Sequence, residues 1–176
     1  MHPFPPRPPG YGLPELLAVT LILAILASIG APALAGLRAR SAIRAAAGEL
    51  ELALHRTRAA ALSRGTPATL CASRDEAHCD ASGDRYIVFV DAASPGRRDA
   101  DEPLLSVHRL PERLRLTGSR TYATWYAEPR AGLTVTFTVC DPAGRAPARQ
   151  VVVSSTGRIR AAGPRLTSTG SPAGCR

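Results

Sequence analysis

Three residues near the amino terminus have types and spacing that point to chemistry at a membrane surface. Gly10 is followed at once by the aromatic residue Tyr11, and Glu15 lies just before an uncharged run from Leu16 to Leu37. A charged side chain in a membrane helix is costly, by roughly 2.5–3.5 kcal/mol at the helix centre and less at its edge. A carboxylate retained at this place should therefore have a function.

A second group of residues has the chemistry of a phosphate site. Arg158 and Arg160 are two apart, so their side chains point the same way if the segment is an extended strand. Gly157 before them lets the backbone turn or approach a ligand closely. Two guanidinium groups on one face suit successive phosphates of a nucleic acid, whereas the alternative is a solvated turn in an arginine-rich chain.

The surroundings of this group are strongly basic. After Asp141 the sequence has no acidic residue but six arginines: Arg145, Arg149, Arg158, Arg160, Arg165 and Arg176. The whole chain carries a net charge of +8, and all 22 of its basic residues are arginine. This charge favours acidic partners, namely nucleic acid, anionic lipid or acidic protein.

Four cysteines form the third group: Cys71, Cys79, Cys140 and Cys175. Four cysteines allow three pairings, and the order along the chain favours Cys71–Cys79 and Cys140–Cys175. A zinc site is the rival interpretation, but there is no Cys-x-x-Cys motif and His78 is the only histidine nearby. We therefore expect two disulfides, which an exported domain can keep, and no metal.

The sequence contains no combination of residues typical of an enzyme. Gly-x-Ser-x-Gly, His-Glu-x-x-His and phosphate-loop motifs are all absent from it. His55 and His108 fit surface or packing positions, and the acids from Asp99 to Glu102 do not match an ordered calcium loop. We expect no catalytic activity and no cofactor.

The elements that position these residues begin with a long helix. Residues 1–10 are rich in proline, and residues 11–37 form the membrane segment. Its uncharged run, Leu16–Leu37, has 22 residues, which span about 33 Å as a helix and cross a bilayer core of roughly 30 Å. Residues 38–64 continue as an amphipathic helix with Ile43, Leu50 and Leu54 on one face. A secretory signal peptide cleaved near Ala33-Leu34-Ala35 is the alternative.

From Thr66 onward the pattern changes to the period of two that is typical of strands. The predicted strands are 66–72, 85–91, 103–109, 113–116, 121–126, 133–140, 150–154 and 158–161, with turns at 82–84 and 142–144 among others. Residues 65–176 should thus form an antiparallel β head packed on the helix, with a tail from 163 onward. The fold class is α+β.

The amino-terminal motif resembles the class III signal of type IV prepilins and pseudopilins. The segment Leu13-Pro14-Glu15-Leu16-Leu17 is most similar to the GspH/FimT family of type IV minor pilins and type II secretion pseudopilins, although Gly12 stands where threonine is usual. The resemblance implies cleavage between Gly10 and Tyr11 by a prepilin peptidase that also methylates Tyr11. It further implies that Glu15 pairs with the methylated amino group of a neighbouring subunit during filament assembly.

Parts of the head resemble the same family. The segments 70–73 with Cys79, 86–91 and 140–145 are similar to the strands of FimT-type heads, and Gly157–Arg160 resembles the Gly-Arg-x-Arg motif by which FimT-type minor pilins bind DNA during natural transformation. Arg145, Arg149 and Arg165 are further candidates for the same interface.

The resemblance therefore implies a single-pass protein of the bacterial inner membrane, with its head in the periplasm, that assembles with other pilins and binds double-stranded DNA. The alternative is a GspH-like subunit of a type II secretion pseudopilus with no role in DNA binding.

Overall fold

The structure is a computed structural model that describes residues 12–93, 95–128, 134–163 and 175, without the side chain of Pro32. The predicted leader and Tyr11 lie outside the described residues. The backbone divides into two compact units between Gly36 and Leu37, which are described here one at a time.

One helix, α1, runs from Leu13 to Arg64. Pro14 and Glu15 suit its first turn. It ends at Gly65, whose φ of +65° is the left-handed conformation that glycine adopts most easily after a helix. This is the end that Gly65 and Pro67 predicted from the sequence.

In the first unit the apolar side chains of α1 are exposed, from Leu13 through Leu34. Among the described residues, α1 is the one helix long and apolar enough to cross a membrane.

In the second unit the same helix has one buried face. Ile43, Leu50 and Leu54 are buried as their spacing predicts, together with Ala47 and Ala61.

Nine strands follow in the described part of the second unit: β1 (Ala68–Ser73), β2 (Ser82–Gly83), β3 (Arg85–Val90), β4 (Leu104–Arg109), β5 (Arg115–Gly118), β6 (Tyr122–Trp125), β7 (Val135–Cys140), β8 (Arg149–Val153) and β9 (Ile159–Ala162). They form two antiparallel sheets, with the order β4-β3-β1-β6 in the first and β2-β5-β7-β8-β9 in the second. Eight of the nine were predicted, with each end within two residues of its predicted place.

The exception is β2, because the sequence Ser82-Gly83-Asp84 had predicted a turn. Ser82 and Gly83 instead pair with Thr117 and Leu116 of β5. A Cβ atom on Gly83 would overlap the backbone of Ser73. Glycine is needed here for close approach of two backbone segments rather than for chain reversal.

The main core lies where α1 meets both sheets. Leu50 and Leu54 of the helix share one apolar cluster with Leu70 of β1, Phe137 of β7 and Val151 of β8. A smaller cluster of Cys71, Ile87 and Phe89 covers the opposite face of the first sheet. The helix thus fixes the two sheets relative to each other, and with them the loops at their ends.

Two disulfides join the pairs that chain order favoured. Cys71 of β1 is bonded to Cys79, and Cys140 at the end of β7 is bonded to Cys175. The second bond ties a residue near the carboxyl terminus to the second sheet.

Candidate nucleic-acid interface

The hairpin of β8 and β9 positions the Gly-Arg-x-Arg segment. Its turn is closed by hydrogen bonds from the Gly157 N–H to the Ser154 carbonyl (2.8 Å) and from the Ser154 N–H to the Arg158 carbonyl (2.9 Å). The Ser154 hydroxyl also accepts the Arg158 N–H at 3.1 Å. Gly157 has a φ of +74°, which a residue with a side chain adopts only with strain. The turn therefore requires glycine at this position.

Arg158 lies directly before β9, and Arg160 is the second residue of that strand. Ile159 is buried in the core, whereas Arg158 and Arg160 on either side of it are exposed. Arg160 lies opposite Val152 in the register of β8 and β9. The buried isoleucine holds the start of β9 between two exposed arginines. That their guanidinium groups face the same way stays a prediction from the spacing.

Two residues that are distant in the sequence contact the turn at Gly157. Arg58 of α1 donates a hydrogen bond from Nη1 to the Gly157 carbonyl at 3.2 Å. A Cβ atom at position 157 would lie 3.3 Å from Nε1 of Trp125, so the indole of β6 packs directly on this glycine. Glycine is thus favoured here by its backbone angle, and a side chain at this position would also crowd Trp125.

The structure does not bring the other candidate arginines to the same place. Arg145 forms an ion pair with Asp141 through two hydrogen bonds of 2.7 and 3.1 Å, and these bonds lower the pKa of Asp141. Arg149 lies on the face of β8 that carries the buried Val151, opposite to that of Arg160. Arg165 lies outside the described residues.

Beside the turn is a groove of about 850 Å³, here called the aromatic groove. It is lined by residues 120–128, which include the almost completely buried Trp125 and the half-buried Tyr126. The opposite side is formed by Arg58 and by the turn residues 154–157. The turn that carries Arg158 is therefore also one wall of the groove.

Arg58 and Arg120, which lines the same groove, were not among the residues predicted from sequence. The sequence gives no signal that separates Arg58 from its neighbour Arg56, since both are exposed residues of the same helix. Only the fold brings Arg58 to Gly157, which lies 99 positions later in the chain.

At the start of α1, the Glu15 carboxylate folds back over Gly12. One of its oxygens, Oε2, lies 2.6 Å from where a Cβ atom on Gly12 would be. The carboxylate thus lies at the amino-terminal turn of α1, whose partial positive charge favours a negative group. Gly10 and Tyr11 lie outside the described residues.

In the acidic segment from Asp99 to Glu102, the Glu102 side chain holds the backbone of its own loop by hydrogen bonds. Glu102 is buried and accepts hydrogen bonds from the backbone N–H groups of Ala92, Ala93 and Asp99, at 2.7, 3.1 and 3.0 Å. Within the described ranges, no group of three or more histidine, cysteine, aspartate or glutamate side chains is arranged to hold a metal ion.

Comparisons with known proteins find a family whose model matches the sequence and solved structures whose fold is similar. The model of the family "Type II transport protein GspH" matches residues 46–157, and no curated protein sequence matches the chain. The type IV minor pilin FimU of Pseudomonas aeruginosa is similar in two crystal forms, with TM-scores of 0.52 and 0.50, 20% identity in both, and coverage of 76% of this chain and 95% and 99% of FimU.

The minor pseudopilin EpsH of the Vibrio cholerae type 2 secretion system is similar with a TM-score of 0.49 and 13% identity, covering 68% of this chain and 94% of EpsH. The likeness to FimU confirms the predicted fold, a long amino-terminal helix packed on antiparallel sheets.

Proposed function

The chain belongs to the GspH family of type II transport proteins, and from that premise we propose that it is a membrane-anchored minor pilin whose β8–β9 hairpin binds DNA. The observation that carries the DNA-binding part is the arrangement of Arg158 and Arg160. Both are exposed on either side of the buried Ile159 at the start of β9, and the turn before them is contacted by Arg58 and Trp125.

The local charge supports the same proposal. Residues 142–163 contain four arginines and no acid, and only Arg145 among them has an ion pair within the described residues. Arg158 and Arg160 therefore keep their charges available to an external anion. Contacts of this kind hold the phosphate backbone, so binding should be independent of sequence and sensitive to salt.

The test is DNA binding by the full chain in a nonionic detergent, measured by fluorescence anisotropy with a labelled duplex at several salt concentrations. Arg158→Gln/Arg160→Gln is compared with Arg56→Gln/Arg113→Gln, which removes the same charge from exposed positions that do not form the hairpin or line the groove. We expect the hairpin variant to bind weakly and its salt dependence to fall by about two in slope. The control should keep most of the affinity.

A second candidate function is that of a GspH-like subunit of a type II secretion pseudopilus without a role in DNA binding. The match to the family named for type II transport favours it. Absence of binding to any duplex at low salt, or equal binding by the hairpin variant and the control, would contradict the DNA proposal and leave this candidate.

For assembly, we propose that the chain is cleaved between Gly10 and Tyr11, that Tyr11 is methylated, and that Glu15 pairs with the methylated amino group of a neighbouring subunit. A carboxylate and an ammonium group at the edge of a membrane compensate each other's loss of solvation. The position of Glu15 at the first turn of an exposed apolar helix supports this role.

The matched variants are Glu15→Gln and Glu49→Gln, because Glu49 is an exposed glutamate of the same helix. We expect both to insert into the membrane and only Glu15→Gln to be lost from filaments, and mass spectrometry of the mature chain should give methylated Tyr11 as its first residue. Normal incorporation of Glu15→Gln would rule out the pairing.

A further inference from the structure

We propose that the aromatic groove binds unpaired bases, so that the preferred form of DNA is a duplex with a single-stranded end rather than a continuous duplex. This inference rests on the proposed DNA-binding function and names the form of its ligand. It starts from the position of the groove, because the turn residues 154–157 form one of its walls and lead directly into Arg158.

The side chains of the groove have the chemistry of a single-stranded nucleic-acid site. Such sites combine aromatic rings, on which bases stack, with arginines that follow the backbone. Here the half-buried Tyr126 and the almost completely buried Trp125 line the groove together with Arg58 and Arg120, whereas the ring of Tyr122 packs on the opposite face of the first sheet. Glu128 is the only acid among the described lining residues.

The size and the polar groups of the groove also fit a base. Its volume of about 850 Å³ lies within the range of roughly 300–1,000 Å³ that is usual for small-molecule sites. The exposed hydroxyl-bearing residues Ser155 and Thr156 stand on the wall formed by the turn. Hydroxyls both donate and accept hydrogen bonds, so they suit the edge of any base.

The geometry distinguishes unpaired from paired DNA. Bases inside a duplex are stacked and cannot enter a groove unless they leave the stack. Arg158 and Arg160 on the outside of the hairpin can contact the phosphates of either form, whereas the groove behind the turn admits only bases that are already free. A tailed duplex would therefore use both surfaces, and a blunt duplex only the hairpin.

An extended peptide is the competing occupant, because β6 is an edge strand that pairs only with β1 among the described strands. The excess of arginine over acid in the lining and the continuity with Arg158 favour nucleic acid.

Trp125 provides a direct measurement, because it is the only tryptophan of the chain. Its emission is followed in the full chain in a nonionic detergent during titration with a blunt duplex, the same duplex carrying an oligo-dT tail, and oligo-dT alone. We expect the tailed duplex to bind about tenfold more tightly than the blunt one, as stacking of one base would give. Oligo-dT and the tailed duplex should change the Trp125 emission, and the blunt duplex should not.

Two variants locate the effect. Tyr126→Leu and Arg120→Gln should each reduce the ratio of tailed to blunt affinity towards one. Arg113→Gln, which removes the same charge as Arg120→Gln from an exposed position outside the groove, should leave that ratio unchanged. Circular dichroism of each variant verifies that it is folded, and Arg120→Gln tests the groove even if Tyr126→Leu does not fold.

The outcomes separate the two proposals. Equal affinity for tailed and blunt duplexes with unchanged Trp125 emission would overturn the groove as a base site and leave the hairpin proposal intact. Binding to no form of DNA would overturn both, and the groove would then fit an extended peptide.

Discussion

The arginines at one end of the first sheet have acidic partners, whereas those of the β8–β9 hairpin in the second sheet do not have them among the described residues. At one end of the first sheet, Arg85 donates hydrogen bonds to Asp84 and Glu76, at 3.1 and 2.5 Å, and Arg109 reaches the same glutamate at 3.2 Å. These bonds lower the pKa values of Asp84 and Glu76. In the hairpin of the second sheet, Arg158 and Arg160 are exposed and have no ion pair among the described residues.

The difference shows that one residue type serves two purposes in this chain. Where acids are near, arginine and carboxylate join neighbouring segments and compensate each other's charge. Where the neighbouring part of the chain has no acids, as after Asp141, the arginine side chain leaves its charge available to a ligand. The following predictions test this contrast through the free energy of unfolding, from the largest expected effect to the smallest.

Glu102→Ala should have the largest effect, because the Glu102 carboxylate organises the loop between β3 and β4. Its loss leaves three backbone N–H groups without their acceptor, and hydrogen bonds to a charged group contribute about 1.5–3 kcal/mol each. We expect a loss of about 3 kcal/mol or more in urea unfolding of the full chain in detergent. The free energy of unfolding of Glu102→Gln, which keeps one acceptor oxygen, should lie between those of wild type and Glu102→Ala. If Glu102→Ala is as stable as wild type, the loop does not depend on this acid.

Asp141→Ala should cost about 2 kcal/mol, because Asp141 is buried and accepts hydrogen bonds from the Arg145 side chain and the Ala143 N–H. Hydrogen bonding to Arg145 lowers the pKa of Asp141 below its ordinary value of 3.8. A lowered pKa stabilises the fold above the ordinary value, and the contribution is lost as pH falls through the lowered one. The difference in the free energy of unfolding between wild type and Asp141→Asn, measured by urea unfolding, should therefore shrink in strong acid. A difference that is independent of pH would contradict the ion pair.

How much of this contrast could be predicted depends on whether the determining contacts are local. The end of α1 at Arg64 and the burial of Ile159 between two exposed arginines follow from rules that act over a few residues. The pairing of Arg145 with Asp141 has a local signal as well, since the turn Asp-Pro-Ala-Gly brings residues four apart together. The absence of acids after Asp141 nevertheless makes Arg145 a phosphate-binding candidate when the sequence is taken alone.

Contacts between distant segments could not be predicted in the same way. The hydrogen bond from Arg58 to Gly157, the packing of Trp125 on that glycine and the aromatic groove all depend on how α1 meets the two sheets. The strand β2 is a similar case, because its pairing with β5 overrides the turn preference of Ser-Gly-Asp.

Asp91→Asn should change the free energy of unfolding less than Asp141→Ala does, and should raise it rather than lower it. Asp91 is buried, and one of its oxygens accepts hydrogen bonds from the Thr69 hydroxyl and the Gly96 N–H, whereas the other has no partner among the described residues. Burial raises the pKa of Asp91, so the stability it contributes is present at low pH and lost as pH rises through the raised value.

Asparagine keeps the acceptor and removes the buried charge, so we expect Asp91→Asn to gain up to about 1 kcal/mol at pH 8 and less than that at pH 4. Unfolding curves at the two pH values measure this difference. A variant that is less stable at pH 8 than at pH 4, relative to wild type, would contradict the raised pKa.

The smallest effect is expected for the residues that we propose bind DNA. Arg158→Gln/Arg160→Gln changes two exposed side chains without ion pairs among the described residues, so the free energy of unfolding should stay within about 0.5 kcal/mol of wild type. Gly157→Ala in the same turn should instead destabilise by about 1 kcal/mol or more, because alanine at a positive φ is strained and its Cβ would approach Trp125.

Urea unfolding followed by the emission of Trp125 measures both variants beside the DNA titrations. Normal stability of the arginine variant combined with lost binding would mean that these arginines act on the ligand and not on the fold. A large loss of stability would instead place Arg158 and Arg160 with Arg85 and Arg145, as arginines whose role is to hold the structure together, and the contrast between the two sheets would disappear.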